Sequence, residues 1–128
     1  MLYIELVAAL AVLQFVFFGA MTAKARLVSG LKAPAMTGHD GFERMYRVQM
    51  NTLETMVAFL PALFLAAHHW SSLLVSGLGV IYLIGRFIYW RSYVADPAKR
   101  GLGYVLSIIP TMILIILAIV GPILSLMS

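Results

Sequence analysis

The sequence predicts an all-α membrane protein, an antiparallel bundle of four transmembrane helices in one domain over residues 1–128. Three observations lead there. The chain is 62% hydrophobic and only 11% charged, with a mean hydropathy of +0.98, so it lacks the charge that a soluble surface of this size carries. A spanning helix needs about 20 mostly apolar residues, and four such stretches occur, near 2–23, 52–70, 73–93 and 102–127. All nine Lys and Arg lie in, beside or a few turns from the connections after the first and third stretches.

By the positive-inside rule those two connections face the cytoplasm, and both termini and the turn at 68–72 face the other side. The expected location is therefore an integral, multi-pass position, in a bacterial inner membrane. The formal charge of +4 is a topology signal first. No nucleic-acid partner is expected, because the basic residues are split between two membrane-proximal loops with no binding module to present them. There is no Cys, which excludes disulfides, thiolate metal sites and a cysteine nucleophile. Any sulfur chemistry must come from a ligand.

Helices are expected at about 2–26, 42–70, 72–95 and 102–127. The first has no basic n-region, carries Glu5 near its start and outruns a typical signal-peptide core, so it reads as a retained span. Gly30, Pro34, Gly38, His39, Asp40 and Gly41 make the connection that follows the one long loop. The second helix joins the third tightly at 68–72, so these two pack antiparallel. Gly77, Gly79 and Gly85 offer small surfaces for close helix approach. The third helix stops before Pro97, and the fourth starts near Leu102 and is almost wholly apolar. Pro61 and Pro110 are expected to kink their helices, which bundles tolerate when neighbours satisfy the freed carbonyl.

Two polar stripes interrupt this apolar pattern. On the second helix Arg44, Arg47, Asn51 and Glu54 fall within about a quarter of the circumference. Glu54 lies roughly 15 Å of rise beyond Arg44. An ionisable group at that depth must face protein or a wet cavity, either as a structural ion pair with Arg47 or an arginine on a neighbouring helix, or as a ligand contact. On the third helix Tyr82, Arg86, Tyr89 and Tyr93 share one face at spacings of four, three and four. Interfacial tyrosines ordinarily form an outward belt at one depth, whereas these descend some two and a half turns beside an arginine. Together the stripes offer guanidinium groups, a carboxylate, an amide and phenols, a set suited to a small zwitterionic ligand. Arg100 adds a cation at the mouth. Beside a ligand thiol, such a cation lowers the thiol pKa and raises the nucleophilic thiolate fraction.

With the run Glu43-Arg44-x-x-Arg47-x-Gln49-x-Asn51-x-x-Glu54, then Arg86-x-x-Tyr89-x-x-x-Tyr93 and Arg100, the sequence resembles the MAPEG family, the membrane-associated proteins in eicosanoid and glutathione metabolism. The likeness covers nearly the whole chain. It is strongest to the leukotriene C synthase and microsomal glutathione transferase branch, as a bacterial-type member. The resemblance implies a homotrimer with glutathione as co-substrate, held between adjacent subunits, and no metal. It implies that Arg47, Asn51, Glu54 and Tyr93 hold the tripeptide, with Gln49 and Tyr89 also in the site; the polar stripe on the third helix adds Arg86 to the expected ligand contacts. Arg100 stabilises the thiolate, and Arg26 reaches the ligand from a neighbouring subunit. Two positions depart from the synthase pattern: Leu27 stands where that enzyme has an arginine, and Thr55 where it has a tyrosine. The implied reaction is attack of glutathione thiolate on a lipophilic electrophile or hydroperoxide entering from the membrane lipids.

The alternative is a non-enzymatic protein that binds lipid or glutathione and presents it to a partner; Arg100 with the two tyrosines favours the enzyme. A small transporter would need polar residues across the whole span, and here they cluster toward one end. His68 and His69 are adjacent on a helix end, diverge by about 100° and have no carboxylate nearby, so they make a poor metal pair.

Overall fold

The computed structural model describes residues 1–128 as four long helices: α1 (Leu2–Ser29), α2 (Asp40–Ala67), α3 (Ser72–Ala95) and α4 (Gly101–Met127), with a 3₁₀ turn at Pro97–Lys99 before the last. Each is long and apolar enough to cross a membrane. The chain is thus an integral multi-pass membrane protein, up and down four times.

The ends of the helices follow from local chemistry more than from hydropathy. α1 continues past Arg26 to Ser29 and stops where Gly30 takes the left-handed conformation at φ 74°, its N–H returning to the Arg26 and Leu27 carbonyls. α2 begins at Asp40, before the expected 42, because the His39 ring nitrogen accepts from the Phe42 N–H and caps it. It ends at Ala67, short of the expected 70, and Ser71 caps α3 from the other side of the turn. The non-helical part of the first connection is therefore only residues 30–39. Asp96 accepts from the Ala98 N–H and starts the 3₁₀ turn at Pro97.

Lipid is as apolar as leucine, so packing in a membrane depends on close contact and internal hydrogen bonds. α3 and α4 meet at two glycines. A methyl group on Gly85 would lie 2.7 Å from the Leu106 carbonyl carbon, and one on Gly103 would overlap the Tyr89 backbone. Gly79 likewise admits Val7 of α1, whereas Gly77 faces open space. Pro61, Pro110 and Pro122 all lie inside unbroken helices.

The apolar core joins Ile4, Val7 and Ala11 of α1 to Phe59 and Leu63 of α2, Val75 and Tyr82 of α3, and Leu114 of α4. The Met1 ammonium donates to Ser72, and Gly121 packs on His69, so both termini share one end of the bundle with the α2–α3 turn. The basic connections occupy the other end, where Arg44 donates to the last carbonyls of α3, Val94 at 3.1 Å and Ala95 at 3.2 Å.

Candidate functional site

At the basic end, α2, α3 and α4 open onto a cavity of about 470 Å³ lined by Arg47, Asn51, Tyr89, Tyr93, Arg100 and Tyr104. Three elements supply these side chains for simple geometric reasons. Arg47 and Asn51 are four apart on α2, and Tyr89 and Tyr93 are four apart on α3, so each pair stacks on one helix face. The two tyrosine rings lie 5.5 Å apart and nearly parallel. Arg100 caps the start of α4 and donates to the Pro97 carbonyl, and Tyr104 follows one turn later. Arg47 and Tyr93 also line an adjoining cavity of about 530 Å³ with Met36, Thr37, Asp40, Glu43, Arg44 and Tyr46. They therefore stand at the passage between the polar pocket and the loop at residues 30–39.

Glu54 joins this wall through Arg47, at 3.4 Å, with both side chains more than half exposed. A pair so open to its surroundings adds little stability, which leaves both groups free to exchange partners with a ligand.

Beneath the cavity floor lies a hydrogen-bond network in which the buried Arg86 Nε alone of the guanidinium nitrogens has no partner. Arg86 is fully buried, and its Nη1 and Nη2 each donate to Asn51 Oδ1 at 2.9 Å. Nη1 also donates to Thr55 Oγ1 at 3.0 Å, and the guanidinium lies 4.3 Å over the Tyr89 ring. Thr55 donates to the Thr52 carbonyl at 3.0 Å and meets the Tyr82 hydroxyl at 3.0 Å. A hydroxyl has one proton and two lone pairs. With its proton on Thr52, Thr55 accepts from both Arg86 and Tyr82 and is saturated. No carboxylate pairs with Arg86, so two guanidinium groups on the wall, those of Arg47 and Arg100, and a third buried behind it, that of Arg86, stand against the one carboxylate of Glu54 at the rim.

The structure thus brings together Arg47, Asn51, Tyr89, Tyr93 and Arg100, with Glu54 on the rim. It places three expected residues elsewhere within the chain. Arg86 lies behind the wall, spent on Asn51 and Thr55. Gln49 points about 160° away from Asn51 around the helix, and its amide lies against α1, 3.3 Å from where a methyl group on Gly19 would be. Arg26 donates to the Ala35 carbonyl at 2.9 Å and stacks 4.4 Å over Phe42, holding the loop. Tyr82, Arg86 and Tyr89 are buried, so the α3 stripe faces the interior and is no aromatic belt. Tyr104 was absent from the expected set, and its signal was its position one turn after Arg100. Thr55, noted above only as a departure, is the centre of the network.

A four-span membrane protein with a cation-rich, tyrosine-walled pocket at one end of its bundle is a class defined by both fold and site. Within that class the chain belongs to the MAPEG family, whose sequence profile matches residues 4–120. It is 36% identical over 121 residues to an uncharacterized protein of Synechocystis sp., covering 94% of this chain and 88% of that one. It is 34% identical over 92 residues to microsomal glutathione S-transferase 2 of Homo sapiens, covering 72% of this chain and 63% of the human protein. To leukotriene C4 synthase of Bos taurus the identity is 31% over 91 residues, 71% of this chain and 61% of the bovine protein. The matched part thus spans under two thirds of each of these two mammalian enzymes.

Proposed function

We propose that the protein is a membrane-bound glutathione transferase or peroxidase. The observation that carries this reading is the charge and donor balance at the pocket: Arg47 and Arg100 on its wall and Arg86 buried behind it, against Glu54 at its rim, with Asn51 and two stacked tyrosines. Such a site selects a ligand with more negative than positive charge, and one ammonium for Glu54 to receive. Glutathione, with two carboxylates, one ammonium and a thiol, matches that balance. The relatives named for glutathione transfer and leukotriene synthesis support it.

In this reading Arg47 and Arg100 attract carboxylate and thiolate, Asn51 and Tyr93 fix the peptide, and Glu54 exchanges Arg47 for the ligand ammonium. Arg100 stands at the mouth, where a cation lowers the pKa of a bound thiol and raises its thiolate fraction. The thiolate forms a carbon–sulfur bond with a lipophilic electrophile as the electrophile's leaving group departs with its electron pair, halide in the case of an aryl halide. With a hydroperoxide, two glutathione molecules are oxidised to the disulfide while the peroxide is reduced to alcohol and water. The protein's main service is to bring a water-soluble and a lipid-soluble reactant together. The basic end would then face the cytoplasm, and adjacent copies in a trimer would carry Arg26 to the open side of each pocket.

The test is purification in detergent, followed by calorimetric titration with glutathione and an aryl-halide conjugation assay. Saturable binding with turnover supports the transferase. Tight binding without turnover on any electrophile or hydroperoxide favours a presenting protein. No saturable binding, or binding that survives in the double variant Arg47→Ala, Glu54→Ala, refutes the site.

A further inference from the structure

We propose that Arg86 is a positioning residue that fixes Asn51 as a pure hydrogen-bond donor, so that a bound peptide must present a carbonyl or carboxylate oxygen to the Asn51 amide nitrogen. This rests on the glutathione reading above and names the ligand chemistry that one point of the pocket accepts.

The argument starts from what each group is able to do. A guanidinium donates and never accepts, so whatever Asn51 atom faces it must be the oxygen. Two separate N–H groups, on Nη1 and Nη2, reach that oxygen at 2.9 Å each. A carbonyl-type oxygen has two lone pairs, and both are occupied. The amide therefore cannot flip without setting its NH₂ against two guanidinium donors, a buried mismatch that costs the desolvation of several polar groups. Asn51 Nδ2 donates to no protein group, and Asn51 is a wall residue of the pocket. Its two N–H bonds are what it offers to an occupant.

Arg86 is itself held in register. Thr55 takes its second Nη1 proton and is locked by Tyr82 and the Thr52 carbonyl, while the Tyr89 ring covers the guanidinium face. Tyr82 stacks flat on Phe59 at 3.8 Å between ring centroids, which anchors the network in the apolar core. Arg86 is completely buried and does not line the pocket, so it acts on a ligand only through Asn51 and through its charge. Either group alone would be ambiguous. An asparagine free to flip accepts or donates equally well, and would tolerate a ligand hydroxyl or ammonium at that point.

The experiment uses the full-length protein in detergent, with glutathione as the probe. Asn51→Asp keeps both acceptor bonds to Arg86 and turns a charged oxygen toward the ligand in place of the NH₂. Its melting temperature should equal or exceed that of the wild type, while glutathione affinity falls by at least about tenfold. An Asn51→Asp protein that binds glutathione within about twofold of wild type overturns the inference, as does one that fails to fold. Arg86→Lys replaces the fork by a single point donor. It should raise the KM for glutathione severalfold with kcat per folded molecule nearly unchanged, an effect that a merely structural arginine would not produce. An unchanged KM counts against the positioning role. Wild-type protein without saturable glutathione binding would overturn the underlying function and this inference together. Wild-type binding with an undiminished Asn51→Asp affinity would overturn this inference alone.

Discussion

Gly103→Ala is expected to destabilise the bundle and weaken the pocket in one step. A methyl group there would lie 2.5 Å from the Tyr89 Cα and 2.9 Å from its Cβ, besides overlapping the Tyr89 backbone nitrogen. Ordinary carbon contacts begin near 3.5 Å, so α4 must retreat from α3 by about 1 Å. Backbone atoms offer no rotamer to relieve this. Overpacking of this kind costs about 1–3 kcal/mol, set against about 1 kcal/mol gained by replacing a helical glycine with alanine. The net expectation is a loss of up to about 2 kcal/mol. The matched control is Gly77→Ala, on the open face of α3, where only the gain of about 1 kcal/mol applies. Both variants would be purified in the same detergent and melted side by side, with glutathione titrations on each. Gly103→Ala should melt lower than wild type and bind glutathione more weakly, because Tyr89 carries the pocket wall, and Gly77→Ala should melt as high or higher. If Gly103→Ala melts with Gly77→Ala, the two helices are not in contact here and the reasoning fails.

Thr55→Val keeps shape but removes both acceptors and the donor, leaving Arg86 Nη1 and the Tyr82 hydroxyl without a buried partner. A cost of about 1–3 kcal/mol follows, read as a lower melting temperature. Arg47→Ala or Glu54→Ala should leave the melting temperature nearly unchanged, since the pair is mostly exposed, while glutathione titration heat falls sharply. For Arg100→Ala the sign follows from the cation: removing it returns the bound thiol toward its ordinary pKa near 8.5. Conjugation at neutral pH should drop by about tenfold or more and recover as pH rises past that value, where wild-type rates have levelled. A pH–rate profile that does not move excludes Arg100 as the thiolate's stabiliser.

Much of this was legible in the sequence because helical geometry is nearly fixed. The spacing of Arg47, Asn51 and Glu54, and of Tyr82, Arg86, Tyr89 and Tyr93, forces each set onto one face regardless of how the helices meet. The pairings across helices were not legible. Periodicity places Arg86 on the stripe with Tyr89, but only the depth of α2 opposite it decides that its partners are Asn51 and Thr55 and not Glu54. Gln49 lies in the same short motif as Asn51 yet points to α1, because two residues turn the helix by about 200°. The buried Gln14, whose amide donates to the Leu83 carbonyl at 2.9 Å, gave no signal beyond being polar in an apolar run. The termini of α1 and α2 depended on Gly30 and His39, single residues whose capping role hydropathy does not register.

The way the polar network ends argues against transport as the purpose of these buried charges. From the basic end the chain of donors and acceptors runs Asn51, Arg86, Thr55, Tyr82, and there Phe59 stacks on the Tyr82 ring and closes it. Beyond lie Met56, Leu63, Ala66, Val75 and Leu114, all buried and apolar. The other buried threonine and serine hydroxyls are already spent: Thr22 donates to Phe18, Thr52 to Val48, Ser76 to Leu73, Ser107 to Gly103 and Thr111 to Ser107, each to a carbonyl of its own helix. An ion or proton entering the pocket would meet an apolar plug with no group to carry it onward, and crossing it would cost several kcal/mol. A buried guanidinium that leads nowhere is better used to hold something in place. Its one hydrogen-bond partner on the pocket side is Asn51, which ties the cost of burying Arg86 to recognition at the cytoplasm-facing end of the proposed orientation and leaves the rest of the bundle free to be ordinary lipid-embedded packing.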